Sequence, residues 1–278
     1  MRRIFYAEII EKVSQLVVKT SYQIPQEVKE EIKKAFLSES NSLGKKYLEV
    51  ILKNLDISER EKVPICQDTG LAVFFVKQGS EVIIDTGDYK NLEEVINEGL
   101  KIGSKTGYLR NSIVESLDRT NTNNNSPGVV HIIPGEKEEF EISLISKGFG
   151  SENVAALEML NPMLGKEGIE DFIIKTVEKA GSKPCPPIFV GVGIGGSFEK
   201  AAVLSKYALC RIGINSEYRS WEVEILQKIN NLNIGAGGFG GKTTALDVKV
   251  ETFPTHIAGL PVAVNISCWA HRFGTIKL

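Results

Sequence analysis

Ile188-Phe-Val-Gly-Val-Gly-Ile-Gly-Gly-Ser197 runs directly into Phe198-Glu-Lys-Ala-Ala-Val-Leu-Ser-Lys-Tyr-Ala-Leu-Cys210, and this passage decides the fold class. Its apolar start at 188–190 reads as a strand and residues 197–210 read as a helix. The glycines of Gly191-Val-Gly-Ile-Gly-Gly196 read as a tight turn between them, with amides free to face an anion. The same alternation continues outward in both directions. Short β-rich runs at 71–76, 140–145, 246–250 and 262–266 are interleaved with helical stretches near 90–105, 165–180 and 217–230. Residues 1–60 differ, because Ile9, Ile10, Val13, Leu16 and Val17, then Val28, Ile32 and Phe36, recur three and four apart. The expectation is a mixed α/β (α+β) fold, with a helical N-terminal segment at 1–60 leading into an α/β body at 61–278. No Pro- or Gly-rich break resembles a linker, so one integrated domain is expected.

Composition narrows the function classes. In 278 residues, 42% hydrophobic content is enough for a sizeable core. The net charge of −2, from 33 basic and 35 acidic residues without a basic stripe, gives no electrostatic footprint for nucleic acid or an anionic membrane. Met1-Arg-Arg-Ile-Phe-Tyr-Ala-Glu8 lacks the apolar core of a signal peptide, and no run of 18 apolar residues occurs, so a cytoplasmic protein is expected. In a reducing compartment its four cysteines read as thiols or metal ligands rather than disulfides.

Three of those cysteines stand in short turns: Cys66 in Pro64-Ile-Cys-Gln-Asp-Thr-Gly70, Cys185 in Pro184-Cys-Pro-Pro187 and Cys268 in Ile266-Ser-Cys-Trp-Ala-His271. Their wide separation rules out a local knuckle, so a shared centre requires the fold to gather them. Spacing alone also permits three small core residues. The turns favour ligation, whereas Cys210 closes an apolar helix and is assigned to the core. Three thiolates on a four-iron cluster would leave one iron open to substrate.

Two glycine-rich stretches suggest nucleotides. Gly191–Gly196 fits the dinucleotide fingerprint in spacing, yet it lies late in the chain and is followed by no strand bearing an acidic end. A nucleotide-binding regulatory protein using the Gly191 turn is kept as the distant alternative. In Gly235-Ala-Gly-Gly-Phe-Gly-Gly-Lys-Thr-Thr244, Ala236 stands where a phosphate loop needs its first glycine. Residues 245–251 then alternate like a strand, which argues against ATP. Asn121-Thr-Asn-Asn-Asn125, beside Arg119, reads as a loop, either a solvated connection or the lining of a polar pocket.

Cys66-Gln-Asp-Thr-Gly70, Lys147-Gly-Phe-Gly-Ser-Glu-Asn153, Pro184-Cys-Pro-Pro187, Gly240-Gly-Lys-Thr243 and Asn265-Ile-Ser-Cys268, in that order, resemble the iron–sulfur-dependent class I fumarase and L(+)-tartrate dehydratase family. The resemblance runs from about residue 60 onward and is to the α-subunit type, since the sequence stops shortly after Cys268. It implies that Cys66, Cys185 and Cys268 hold a [4Fe-4S] cluster, and that Gln67 and Asp68 contact substrate beside it. It also implies that Arg110 clamps a substrate carboxylate, that Gly150 or Gly148 offers a backbone N–H, and that His256 assists acid–base chemistry through Asp68. The bland roles remain open on the residues alone: Arg110 as a helix cap, His256 as a structural histidine, Asp68 bonded to its own backbone. Carried over whole, the resemblance implies reversible hydration of fumarate to malate with a separate β-subunit that brings the general base and a further substrate-binding arginine and lysine, in an α2β2 hetero-oligomer acting on C4 dicarboxylates. The chain alone would then be inactive. The alternative is the α-subunit of L(+)-tartrate dehydratase, and the Asn123–Asn125 stretch and His131 depart from the single-chain pattern, which leaves the two substrates open. A scaffold subunit with core cysteines is the bland alternative.

Overall fold

Strands and helices are interleaved along residues 1–278, all of which the computed structural model describes. The chain divides into two compact units where the sequence leads one to expect a single body. The first comprises Met1–Pro25, Asn54–Gly148 and Arg272–Leu278, and the second Gln26–Lys53 and Phe149–His271. The crossings carry no linker signal because they fall at the ends of elements or, at Lys53–Asn54, inside a helix.

In the first unit, β1 (Arg2–Phe5) pairs in parallel with β3 (Val82–Asp85). A four-stranded sheet has the order β10 (Phe273–Lys277), β5 (Phe140–Lys147), β2 (Leu71–Gln78), β4 (Val129–Pro134). Helices α1 (Tyr6–Tyr22) and α4 (Leu92–Thr106) supply the rest of the core. Ile9, Val13 and Leu16 of α1 and Val95, Ile96 and Leu100 of α4 join Phe74 and Val76 of β2 and Ile142 and Leu144 of β5 in one apolar cluster. These are the three-and-four spacings of the helices meeting the alternation of the strands. The helical opening is therefore present as expected, with two differences: a short strand precedes it, and its helices are shared between the units. Helix α2 (Gln26–Ser38) belongs to the second, and α3 (Ser42–Glu61) passes from the second into the first.

The second unit carries a sheet of order β6 (Ala156–Leu160), β9 (Leu260–Ser267), β7 (Ile188–Gly195), β8 (Ala245–Phe253), with β7–β8 parallel and the other pairs antiparallel. Strand β7 corrects the sequence reading. Gly191 and Gly193 do not form a turn; they continue the strand, and the chain turns only at Gly195 and Gly196, with φ +89° and +70°. The even residues Ile188, Val190, Val192 and Ile194 face α6 (Gly165–Ala180) and α8 (Arg219–Asn230) in one apolar cluster. Gly191 and Gly193 face α7 (Phe198–Leu209). A β-carbon at Gly191 would lie 2.1 Å from Ser205 O, and one at Gly193 2.1 Å from Ala201 O. The glycines thus let a helix backbone rest directly on a strand, a use of glycine that the dinucleotide pattern also contains and that spacing cannot separate from it.

Candidate active site

In the first unit the Cys66–Gly70 turn leads into β2 at the sheet end where β5 leaves, since Leu71 pairs with Lys147. The Cys66 thiol is half-buried and points at Gln67 Oε1, 3.5 Å away. Asp68 Oδ1 accepts the Gly70 N–H at 2.9 Å, an Asx turn, while Oδ2 is directed toward Gly148. Thr69 Oγ1 donates to the Arg110 carbonyl at 2.6 Å, and Ser112 Oγ donates to the same oxygen at 3.2 Å. Arg110, exposed after α4, is therefore fastened to the cysteine turn by its main chain, leaving its guanidinium at the surface. Asn125 is buried in the Asn-rich loop and accepts the Ser112 N–H at 2.8 Å, so that loop braces the Arg110 segment. His131, on edge strand β4, stacks on Phe75 with ring centroids 5.1 Å apart.

Two buried cations at this end escaped the sequence reading. Lys147 is 1% exposed and donates from Nζ to the Gly148 carbonyl at 3.3 Å. Arg272 is 4% exposed, and its carbonyl accepts the Ser146 N–H at 3.0 Å. Nothing in the sequence marks either as buried: Lys147 only opens the Lys147–Asn153 motif, and Arg272 only follows His271.

In the second unit, the register Phe189↔Ser267 puts the start of β7 beside the end of β9. Cys185, three residues ahead of β7, and Cys268, one residue past β9, therefore share one end of the sheet. Cys185 is exposed and holds φ +54°, a left-handed conformation that costs a non-glycine residue of the order of 1–2 kcal/mol. Gly150, in the short helix α5 (Phe149–Glu152), belongs to the same end: a β-carbon there would stand 3.7 Å from Lys183 O. His256 does not. It lies between β8 and β9, with Nδ1 accepting the Ala258 N–H at 3.2 Å, and lines a hollow with Trp221 and Leu260. The eight residues of β9, about 26 Å of strand at 3.3 Å per residue, separate it from Cys268.

Cys210 is buried, and burial pushes its thiol well above the ordinary cysteine range, which fits a core residue. No group of three or more His, Cys, Asp or Glu side chains is disposed to hold a single metal ion. Ligands of a polynuclear cluster occupy different irons and need not meet around one ion. Three thiols in turns, accessible or half-accessible and unburdened by disulfides, have the donor chemistry of such a cluster.

The second glycine-rich stretch is already engaged. Its backbone takes positive φ at Gly235, Gly237, Gly238, Gly240 and Gly241, and the Lys242 N–H donates to Glu39 Oε2 at 3.1 Å. The same carboxylate accepts the N–H groups of Ser40 and Asn41, each at 2.9 Å, and is 3% exposed. The anion at this loop is the chain's own Glu39, and strand β8 follows it as the alternation of 245–251 predicts.

The fumarate hydratase (Fumerase) family pattern matches residues 10–277. The chain belongs to that family. Among relatives of this fumarate hydratase family member, a protein of Methanocaldococcus jannaschii named "Putative L(+)-tartrate dehydratase subunit alpha" is 42% identical over 274 residues, covering 94% of this chain and 95% of the relative. The L(+)-tartrate dehydratase subunit alpha of Escherichia coli K12 is 31% identical over 277 residues, covering 97% of this chain and 90% of that one. The fold class and the family anticipated from the motifs both hold.

Proposed function

We propose that this chain is the α-subunit of a [4Fe-4S]-dependent hydro-lyase that interconverts fumarate and malate together with a separate β-subunit, in the cytoplasm and as an α2β2 assembly. The observation that carries the reading is the pair of sheet ends. One unit gathers Cys66, Gln67, Asp68 and the Arg110 segment, and the other gathers Cys185, Cys268 and Gly150. Cys66, Cys185 and Cys268 would hold the cluster, and the cost of the left-handed backbone at Cys185 fits a residue whose orientation matters more than its comfort. When bound, the cluster supplies an open Lewis-acidic iron that weakens the carbon–oxygen bond of the departing hydroxyl. The chain's own part is to orient the dicarboxylate, with Arg110 as a bidentate clamp on one carboxylate, Gln67 and Gly150 as polar contacts, and Asp68 as the group placed to hold or pass a proton. His256 would join the acid–base chemistry only if it reaches a site other than the one beside Cys268 of its own chain.

Iron and acid-labile sulfide, measured on protein purified without oxygen alongside its β-partner, test this reading. About four of each per chain are expected, falling to background in Cys185→Ser and unchanged in Cys210→Ala. A wild-type protein that binds no iron after anaerobic reconstitution would return the three cysteines to a structural role. L(+)-tartrate as substrate is the second reading, supported by the names of the relatives. Side-by-side turnover of malate and tartrate by the complex decides between them.

A further inference from the structure

A left-handed backbone is costly for any residue but glycine, and it persists only where neighbouring groups hold it. Cys185 is such a residue, with φ +54°. The groups that hold it come from the glycine-rich stretch 235–244. One residue past the cysteine, the Pro186 carbonyl accepts the Gly237 N–H at 2.8 Å. Ahead of it, a β-carbon on Gly238 would come 2.4 Å from Ser182 Cβ, so the loop backbone rests directly on Ser182, whose carbonyl accepts the Cys185 N–H at 3.1 Å. Where the turn passes into β7, the Ile188 N–H donates to the Thr244 carbonyl at 2.9 Å. The cysteine turn is thus pinned before and after Cys185 by one loop.

That loop needs a hold of its own. Five of its glycines take positive φ, a conformation that glycine enters easily and leaves as easily. The corner between α2 and α3 supplies the hold. Asn41 Nδ2 donates to the Phe239 carbonyl at 3.2 Å, and Glu39 Oε2 accepts the Lys242 N–H at 3.1 Å. The Glu39 carboxylate is buried with no cation paired to it, so main-chain N–H groups alone offset the cost of burying its charge. A β-carbon on Gly241 would come 2.7 Å from Oε1, so the loop closes tightly over the carboxylate. A shorter polar side chain at the end of α2 would serve the N–H groups of Ser40 and Asn41 by itself. The length of Glu39 is what reaches Lys242.

We infer that Glu39 is a positioning residue for Cys185: through the Lys242 N–H it fixes the glycine loop, and the loop fixes the direction in which the turn presents the thiol. The Gly240-Gly-Lys-Thr243 motif then serves a metal ligand rather than a phosphate. This inference rests on the proposed role of Cys185 as a cluster ligand.

Hydrogen exchange in the full α-chain, together with iron release from the anaerobically reconstituted αβ complex, tests it. Glu39→Gln keeps one oxygen for Ser40 and Asn41 but turns an NH2 group, which cannot accept, toward the Lys242 N–H. The amides of both 235–242 and 182–188 are expected to exchange about tenfold faster than in wild type, with the Cys66 turn unchanged. The αβ complex of the variant is expected to hold less iron, or to lose it to a chelator about fivefold faster. Glu39→Asp still serves Ser40 and Asn41 but falls short of Lys242; it is expected to behave alike and remains decisive if Glu39→Gln fails to fold. A purely structural role for Glu39 would loosen 235–242 alone, so wild-type exchange at 182–188 overturns the inference. Wild-type exchange in the glycine loop overturns it as well, and so do wild-type iron content and release in both variants. These outcomes are read against a wild type that carries iron, and they leave the proposed function standing. A wild type that holds no iron removes the proposed function and, with it, this role of Glu39.

Discussion

Thr69 is the smallest residue on which much of the site depends. Its hydroxyl ties the turn bearing Cys66 and Asp68 to the carbonyl of Arg110, so the Arg110 segment and the cysteine turn move as one. Thr69→Val removes that bond while keeping the shape. A single net hydrogen bond contributes about 1 kcal/mol, so we expect KM for the dicarboxylate to rise about fivefold with iron content unchanged, in steady-state assays of the αβ complex. A larger fall in kcat than rise in KM would mean that the link serves chemistry rather than binding. At this scale the sequence was most informative about local conformation, as where Pro64 and Gly70 bracket the turn that carries Cys66. It was silent on Arg272, one of 33 basic residues until the fold buries it. Burial of a charge is a property of three dimensions, and neither composition nor spacing carries it.

Among the elements, β7 and α7 set the tightest constraint. Gly193→Ala would drive a β-carbon into the Ala201 carbonyl, and overpacking of this kind costs about 1–3 kcal/mol. A clear fall in melting temperature is expected, whereas an unaltered one would mean that α7 yields easily. On β8 and α8 a different constraint operates. Lys249, 2% exposed, lies 3.3 Å from Glu222 Oε2 and 3.5 Å from Asp247 Oδ2, while Arg219 holds Asp247 Oδ1 at 2.7 Å. Lys249→Ala leaves two buried carboxylates facing one arginine, and removal of one partner from a buried pair costs about 3–5 kcal/mol. The urea midpoint should drop accordingly; a shift under about 1 kcal/mol would show that water or Arg219 takes over. The central strands β2, β5 and β9 were legible, whereas β7 was legible only over its first three residues, before glycines replace every second apolar side chain. The edge strands β4, β6 and β10 were not. Apart from Leu160 their residues are exposed or half-buried, and each run is short, yet the backbone pairs all the same.

Across the whole molecule, the chain enters the second unit, leaves it, re-enters it and leaves again, and no single cut separates the two. Cutting before Arg272 removes β10 and uncovers the flank of β5, so residues 54–148 should become susceptible to limited proteolysis while residues 149–271 stay resistant. Equal resistance throughout would show that β10 is dispensable. This threading also explains why a reading along the sequence looks for one body: each crossing falls in regular structure or a tight connection, where composition does not change. The route has a consequence in time as well as in space. On the ribosome, the sheet of the first unit is nearly complete once β5 emerges, yet its last neighbour is not translated until the entire stretch 149–271 has been made. For that interval a strand of almost wholly buried residues presents an open flank to the cell. Newly made chains are therefore most in need of a chaperone at mid-synthesis, and slowing translation through the second unit should cost more soluble protein than slowing it through the first.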